Sequence, residues 1–247
     1  MTTVLKINGD SSGTIDHQMI FTKAALAQLR QLGALAGGRG QPAGLDLTSE
    51  QQAREMATGL GQGVTYVSST PITTADGEGR ASTYAFTDVG QIRINQQPEP
   101  PGGINIQAPG ATSTTITCSL TREANGNTVL HINLPEPNIP GATGEPAAGN
   151  PAIAAQMALM RSLLRGAHVS IVVEPNGTLV RTNSPHVDGQ RVTLLDVDLD
   201  RFLGDDAIVA RLQAAKTPEE LKAVLKDAPG LKIVMEREVT IEFTPTK

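Results

Sequence analysis

Gly-centred turns set between segments of alternating apolar and polar residues constrain this chain more than any other feature of its sequence. They stand at Asn8-Gly9-Asp10-Ser11-Ser12-Gly13, Asp76-Gly77-Glu78-Gly79, Asn125-Gly126-Asn127, Asn176-Gly177 and Asp188-Gly189. Asn and Asp tolerate positive φ and Gly meets no steric penalty there, so these pairs are the strongest short-range hairpin signal a sequence carries. The chain is expected to consist largely of antiparallel hairpins.

The first hairpin pairs Thr3–Asn8 with Thr14–Phe21 and puts Ile15, His17, Met19 and Phe21 on one face. Further hairpins join Val64–Ser69 to Arg80–Phe86 and the two halves of Thr114–Leu134. Ala167–Glu174, Thr178–Thr182 and Gln190–Leu199 are expected to form three consecutive strands, and Glu238–Thr244 closes the chain. Helical stripes interrupt this pattern. Thr22 is placed to cap a helix carrying Leu26, Leu29 and Leu32, and Thr48 with Gln51 fits a capping box before Ala53, Met56, Ala57 and Leu60. Asn150-Pro151 opens a stripe of Ile153, Met157, Met160 and Leu164, and Thr217-Pro218-Glu219-Glu220 announces a later helix. Together these patterns point to an α+β fold, with antiparallel hairpin-rich sheets packed against several helices.

Pro, Gly and Ala dominate residues 135–149, which neither a central strand nor a helix accommodates. That stretch is the best boundary between an N-terminal hairpin and helix region, 1–134, and a C-terminal helix plus sheet region, 150–247, unless the chain is one continuous domain. The core has unusual content, because there is no Trp and only two Tyr and four Phe, so burial falls to Val, Ile, Leu, Met and Ala. A net charge of -5 without a Lys/Arg block lacks the clustered positive face that DNA or RNA requires, so no nucleic-acid partner is expected. No run reaches the ~20 apolar residues of a membrane span, and Met1-Thr2-Thr3 leads straight into a strand.

Candidate chemistry is sparse. Gly9-Asp10-Ser11-Ser12-Gly13 matches the G-x-S-x-G string, but a nucleophile elbow needs a strand-to-helix turn and here a strand follows, which makes Ser11 and Ser12 hairpin-tip residues. Asp196, Asp198 and Asp200 imitate the start of an EF-hand loop, yet Arg201 and Ala207 stand where Gly and Glu are required. Another oxygen-ligand site using Asp196, Asp198, Asp205 or Asp206 is the remaining metal alternative. His17, His131, His168 and His186 show no paired ligand spacing. Cys118 shares a strand face with Ile116 and Leu120 and reads as a small buried hydrophobe. Gly59-Leu60-Gly61-Gln62-Gly63 stops a helix, the reverse of a dinucleotide-binding context, and Asn176-Gly177-Thr178 is explained as a turn. No catalytic or metal residues and no cofactor are assigned.

The segment NGTLVRTNSPHVDGQRVTLLDVD resembles an element of bacterial cell-envelope lipoproteins of the LppM-like kind. LKINGDSSGTIDHQMIFT and LGQGVTYVSSTPITTADGEGRASTYAF are similar to the front of such proteins. The resemblance implies a noncatalytic, extracytoplasmic envelope domain, with a lipid or other amphiphile as its ligand. Membrane association would run only through a lipid anchor absent from this chain, the signal and anchor segment having been removed. The alternative is a surface interaction or scaffold protein that binds another envelope protein; a metal-dependent enzyme is the third reading. An enclosed apolar cavity would favour the first and an unpaired edge strand the second.

Overall fold

The computed structural model describes residues 1–27, 49–75, 77–95, 115–135, 166–215 and 217–246. The strands are β1 (Thr2–Ile7), β2 (Gly13–Thr22), β3 (Thr65–Thr73), β4 (Gly77–Phe86), β5 (Ile94–Asn95), β6 (Thr115–Arg122) and β7 (Thr128–Asn133). They continue with β8 (His168–Pro175), β9 (Gly177–Thr182), β10 (Val187–Asp188), β11 (Arg191–Asp198), β12 (Leu231–Ile233) and β13 (Glu238–Pro245). Four short α-helices lie among the described residues: α1 (Glu50–Gly59), α2 (Leu199–Gly204), α3 (Asp206–Ala214) and α4 (Pro218–Lys226). Residues 23–27 are also helical, with Thr22 Oγ1 accepting from the Ala25 N–H at 3.1 Å.

Two sheets organise these elements. The first has eight strands in the order β10-β11-β8-β1-β2-β4-β3, with β12 alongside β11, and the second runs β5-β6-β7-β13-β9. Their buried faces meet in one hydrophobic cluster: Leu5, Ile7, Ile15, Tyr84, Ile171 and Val173 come from the first sheet, and Ile116, Leu130, Ile132, Val239 and Ile241 from the second. From the helices this cluster takes Ala57, with Leu60 just beyond α1, whereas Ile208, Val224 and Ala228 pack separately with Phe202 and Leu231. The expected α+β class is therefore corrected. The described residues are β-rich, 52% strand and 21% helical, with their main core between sheets rather than between a sheet and a layer of helices. The expectation erred because an apolar stripe at helical spacing says that a helix has a buried side, not that helices cover a sheet.

β1 pairs with β2, β3 with β4 and β6 with β7, the neighbours expected on either side of Asn8–Gly13, Gly77 and Asn125–Gly126. At Asp188–Gly189 a hairpin joins β11 to β10, not to the expected Thr178–Thr182, which lies in the other sheet. Asn176-Gly177 does not make one. β8 pairs with β1 and β11, while β9 leaves for the second sheet and pairs with β13. Gly177 is absent from the positive-φ glycines, and a Cβ placed on it would meet the Thr244 carbonyl oxygen at 2.2 Å. It is required for close backbone approach, not for a left-handed turn.

β1 and β8 run parallel, Thr2 beside Ser170 through Ile7 beside Pro175. This pair joins residues on either side of the 135–149 stretch, of which residues 136–149 lie outside the described residues, as do 150–165 with their expected helical stripe. On the outer face of these strands, Lys6 bridges to Asp16 at 2.8 Å and Arg191 lies 3.8 Å from Glu174, itself the register partner of Lys6. Four neighbouring strands thus present charges of alternating sign, an ordinary arrangement for a solvated face.

Candidate functional site

Among the described residues, β3 ends the first sheet. Its nine residues, Thr65 to Thr73, contain no charged side chain, and six of them are exposed. Val67 stands out with 55% of its surface accessible.

One turn bond fixes which backbone groups face outward. The Thr74 N–H donates to the Gly77 carbonyl at 2.8 Å, so this is a hydrogen-bonded pair, and such pairs alternate along an antiparallel ladder. Counting back through the register, Ile72, Thr70 and Ser68 bond to Gly79, Ala81 and Thr83 of β4. Ser69 and Thr73 consequently turn their N–H and C=O groups toward the free edge. Pro71 occupies the same outward phase, where a missing N–H breaks no bond within the sheet. The strand thus runs four residues past Ser69, its expected end. The overlooked signal was the run through Pro71 to Thr73, which keeps the period of two and is compatible with proline only on an edge.

The inward side chains hold β3 in place. The Tyr66 hydroxyl and Ser69 Oγ are 2.8 Å apart, and Arg80 donates to the same Oγ at 2.7 Å. The Arg54 guanidinium, carried on α1 and bonded to Glu50, lies 4.5 Å from the Tyr66 ring centroid. Tyr66 in turn meets Tyr84 edge-on, with centroids 6.2 Å apart. The strand is braced on one side and bare on the other. A bulge at Val67, between Tyr66 and Ser68, limits the regular stretch of the edge.

The other sheet ends differ. β5 and β10 are two residues long, and β9 carries Arg181 bonded to Glu242 at 2.5 Å. Asn127 donates to that carboxylate at 2.7 Å, and with Arg181 it holds Glu242 below the usual carboxylate range. Short length and charge are standard ways of blunting an edge. β3 uses a bulge and a proline and leaves its middle uncharged.

The residues singled out by sequence are dispersed. Ser11, at φ 78°, donates to Asp88 Oδ1 at 3.0 Å, and Ser12 donates to Asp10 Oδ1 at 2.6 Å. Both hydroxyls serve turn carboxylates rather than an imidazole. The tip is tied to the second sheet by Arg122, which donates to the Gly9 carbonyl at 3.0 Å. His17 is 8% exposed; its Nδ1 lies 3.0 Å from Thr3 Oγ1, and its Nε2 is buried with no hydrogen-bond partner. Burial pulls its pKa from 6.5 to about 4.

His131 pairs with Glu238 at 2.6 Å and His168 contacts Asp196, both on outer strand faces, while His186 lies near the β10 turn. Asp198 and Asp205 serve as N-caps of α2 and α3, and Asp200 lies in the first turn of α2. Asp206 falls in the first turn of α3. Among the described residues, no three His, Cys, Asp or Glu side chains converge on a metal-sized site. Cys118 is 5% exposed, and burial pushes its thiol up to about 12. An open depression of about 640 Å³ is lined by Asp200, Arg201, Gly204, Asp205, Ala207 and Pro229. Polar and charged groups form much of its wall.

Comparisons with known proteins add no relative. No family model, curated protein or solved structure matches the chain. Among the described residues, no helix is long and apolar enough to cross a membrane.

Proposed function

We propose that this chain is a noncatalytic binding module of the bacterial cell envelope that takes an extended segment of a partner protein onto the free edge of β3. The observation that carries this reading is the uncharged edge itself, braced from within by Tyr66, Ser69 and Arg80, with the backbone groups of Ser69 and Thr73 directed outward. Strand addition draws affinity from such main-chain groups and specificity from the side chains beside them. Its envelope setting rests on the sequence resemblance.

The amphiphile-binding alternative needs an enclosed apolar cavity of ~300 Å³ or more. Among the described residues, Leu5, Ile7, Ile15, Leu130, Ile132 and Ile241 are each at most 1% exposed and pack in one cluster between the sheets. That favours the interaction reading.

A photocrosslinking residue placed at position 67 or 70 in cells tests it, with position 187 as an exposed control. Protein-sized adducts confined to 67 and 70 are expected. Lipid adducts on the intact protein, with none of protein size at either edge position, would overturn the reading.

A further inference from the structure

The chemistry of the edge also specifies a partner, on the premise that β3 accepts an added strand. We infer that β3 pairs with the β3 of a second copy of this chain, antiparallel about a two-fold axis at Ser69. A two-fold axis sets a strand against itself, so a charge on the axis would directly oppose its like and a charge one place from it would have its like as a diagonal neighbour, both of which destabilise a sheet. β3 has none, although its partner strand β4 carries Glu78 and Arg80 and the chain has a net charge of -5.

Backbone chemistry selects the axis. With Ser69 on it, the two Ser69 residues exchange N–H···O=C bonds in both directions, and the outward phase established by the Thr74–Gly77 bond supplies both groups. An axis at Pro71 would instead oppose two residues without donors. The Ser69 register places Ser68 beside Thr70 of the second copy, two exposed hydroxyl side chains of a type that stabilises cross-strand neighbours. Beyond them Val67 faces Pro71 of the second copy, where the bulge and the proline end the ladder. The contact is short and should be weak. Its role is to continue the first sheet from one copy into the next.

Sedimentation velocity on the whole chain from about 5 to about 500 µM should show a monomer converting to a dimer, as expected for an interface below standard size. Thr70→Lys sets a charge opposite Ser68 and diagonal to its like, Val67→Lys puts one at the ladder's end, and each should raise the dissociation constant at least ~10-fold. Both positions are exposed, so unchanged thermal unfolding of the variants serves as the folding control. A chain monomeric throughout the range, or a dimer indifferent to both substitutions, overturns the self-pairing. If such a monomer still crosslinks to another protein through position 67 or 70, self-pairing alone falls; if it does not, the strand-addition reading falls with it.

Discussion

His17 shows what burial does to a polar residue on an otherwise apolar face. It alternates with Ile15 and Met19 as its spacing requires, but its Nε2 has no partner and its pKa falls from 6.5 to about 4 because burial disfavours the charged ring. Between those values the unfolded chain binds a proton that the folded chain does not. Stability from this group is therefore complete above about pH 6.5 and drains away as pH falls toward 4, a loss of about 3 kcal/mol. Urea unfolding of His17→Gln at pH 7, 5.5 and 4 should show a flatter decline than the parent over that range. Parallel declines would remove the burial argument.

Two glycines separate steric need from habit. A Cβ on Gly13 would lie 2.0 Å from the Lys6 carbonyl oxygen, whereas one on Gly59, in the last turn of α1, meets nothing within 4 Å. Gly13→Ala should cost about 2 kcal/mol or more. Gly59→Ala should gain about 0.5 to 1 kcal/mol by restricting the unfolded chain. Chemical denaturation of the two variants checks both signs. Only the turn role of such residues was legible from sequence, because close backbone approach depends on a partner far along the chain.

At the scale of elements, local pairings were legible and distant ones were not. β1 with β2, β3 with β4 and β6 with β7 follow from alternation flanking a tight turn. The same logic paired β8 with β9, and there it fails: β8 finds β1, more than 160 residues earlier, and β9 finds β13. Nothing in NGTLVRT distinguishes a turn glycine from one that lets a neighbouring strand approach. The caps at Ser49 and Thr217 were read to within a residue, since capping is encoded within a few positions.

Tyr84 links elements that the sequence kept apart. Its hydroxyl donates to the Ala53 carbonyl of α1 at 2.9 Å and fastens that helix to β4. Tyr84→Phe keeps the ring and removes the bond, which should cost about 1 kcal/mol and speed amide exchange in α1 more than in β4. Equal effects on both elements would show that the bond does not hold the helix specifically.

At the scale of the whole molecule, the burial of two opposed sheet faces decides the architecture. Ile132 and Ile241 of one sheet and Leu5 and Ile171 of the other are each at most 1% exposed. The shared faces of β2 (Ile15, His17) and β6 (Ile116, Cys118) follow from period two. Their division between two sheets does not, because every such face looks alike until its partner is known. The candidate site was illegible for a related reason: an edge is a property of the assembled sheet, and Thr65–Thr73 becomes one only because β4 has its other side occupied by β2.

Residue-resolved hydrogen exchange along β3 tests that edge most directly. In the dilute chain, the Ser69 and Thr73 amides should exchange rapidly while those of Ser68, Thr70 and Ile72 are protected by β4, and the first two should slow when a strand docks. Protection of Ser69 and Thr73 in the dilute chain, or fast exchange at both under every condition that forms a complex, would contradict the account.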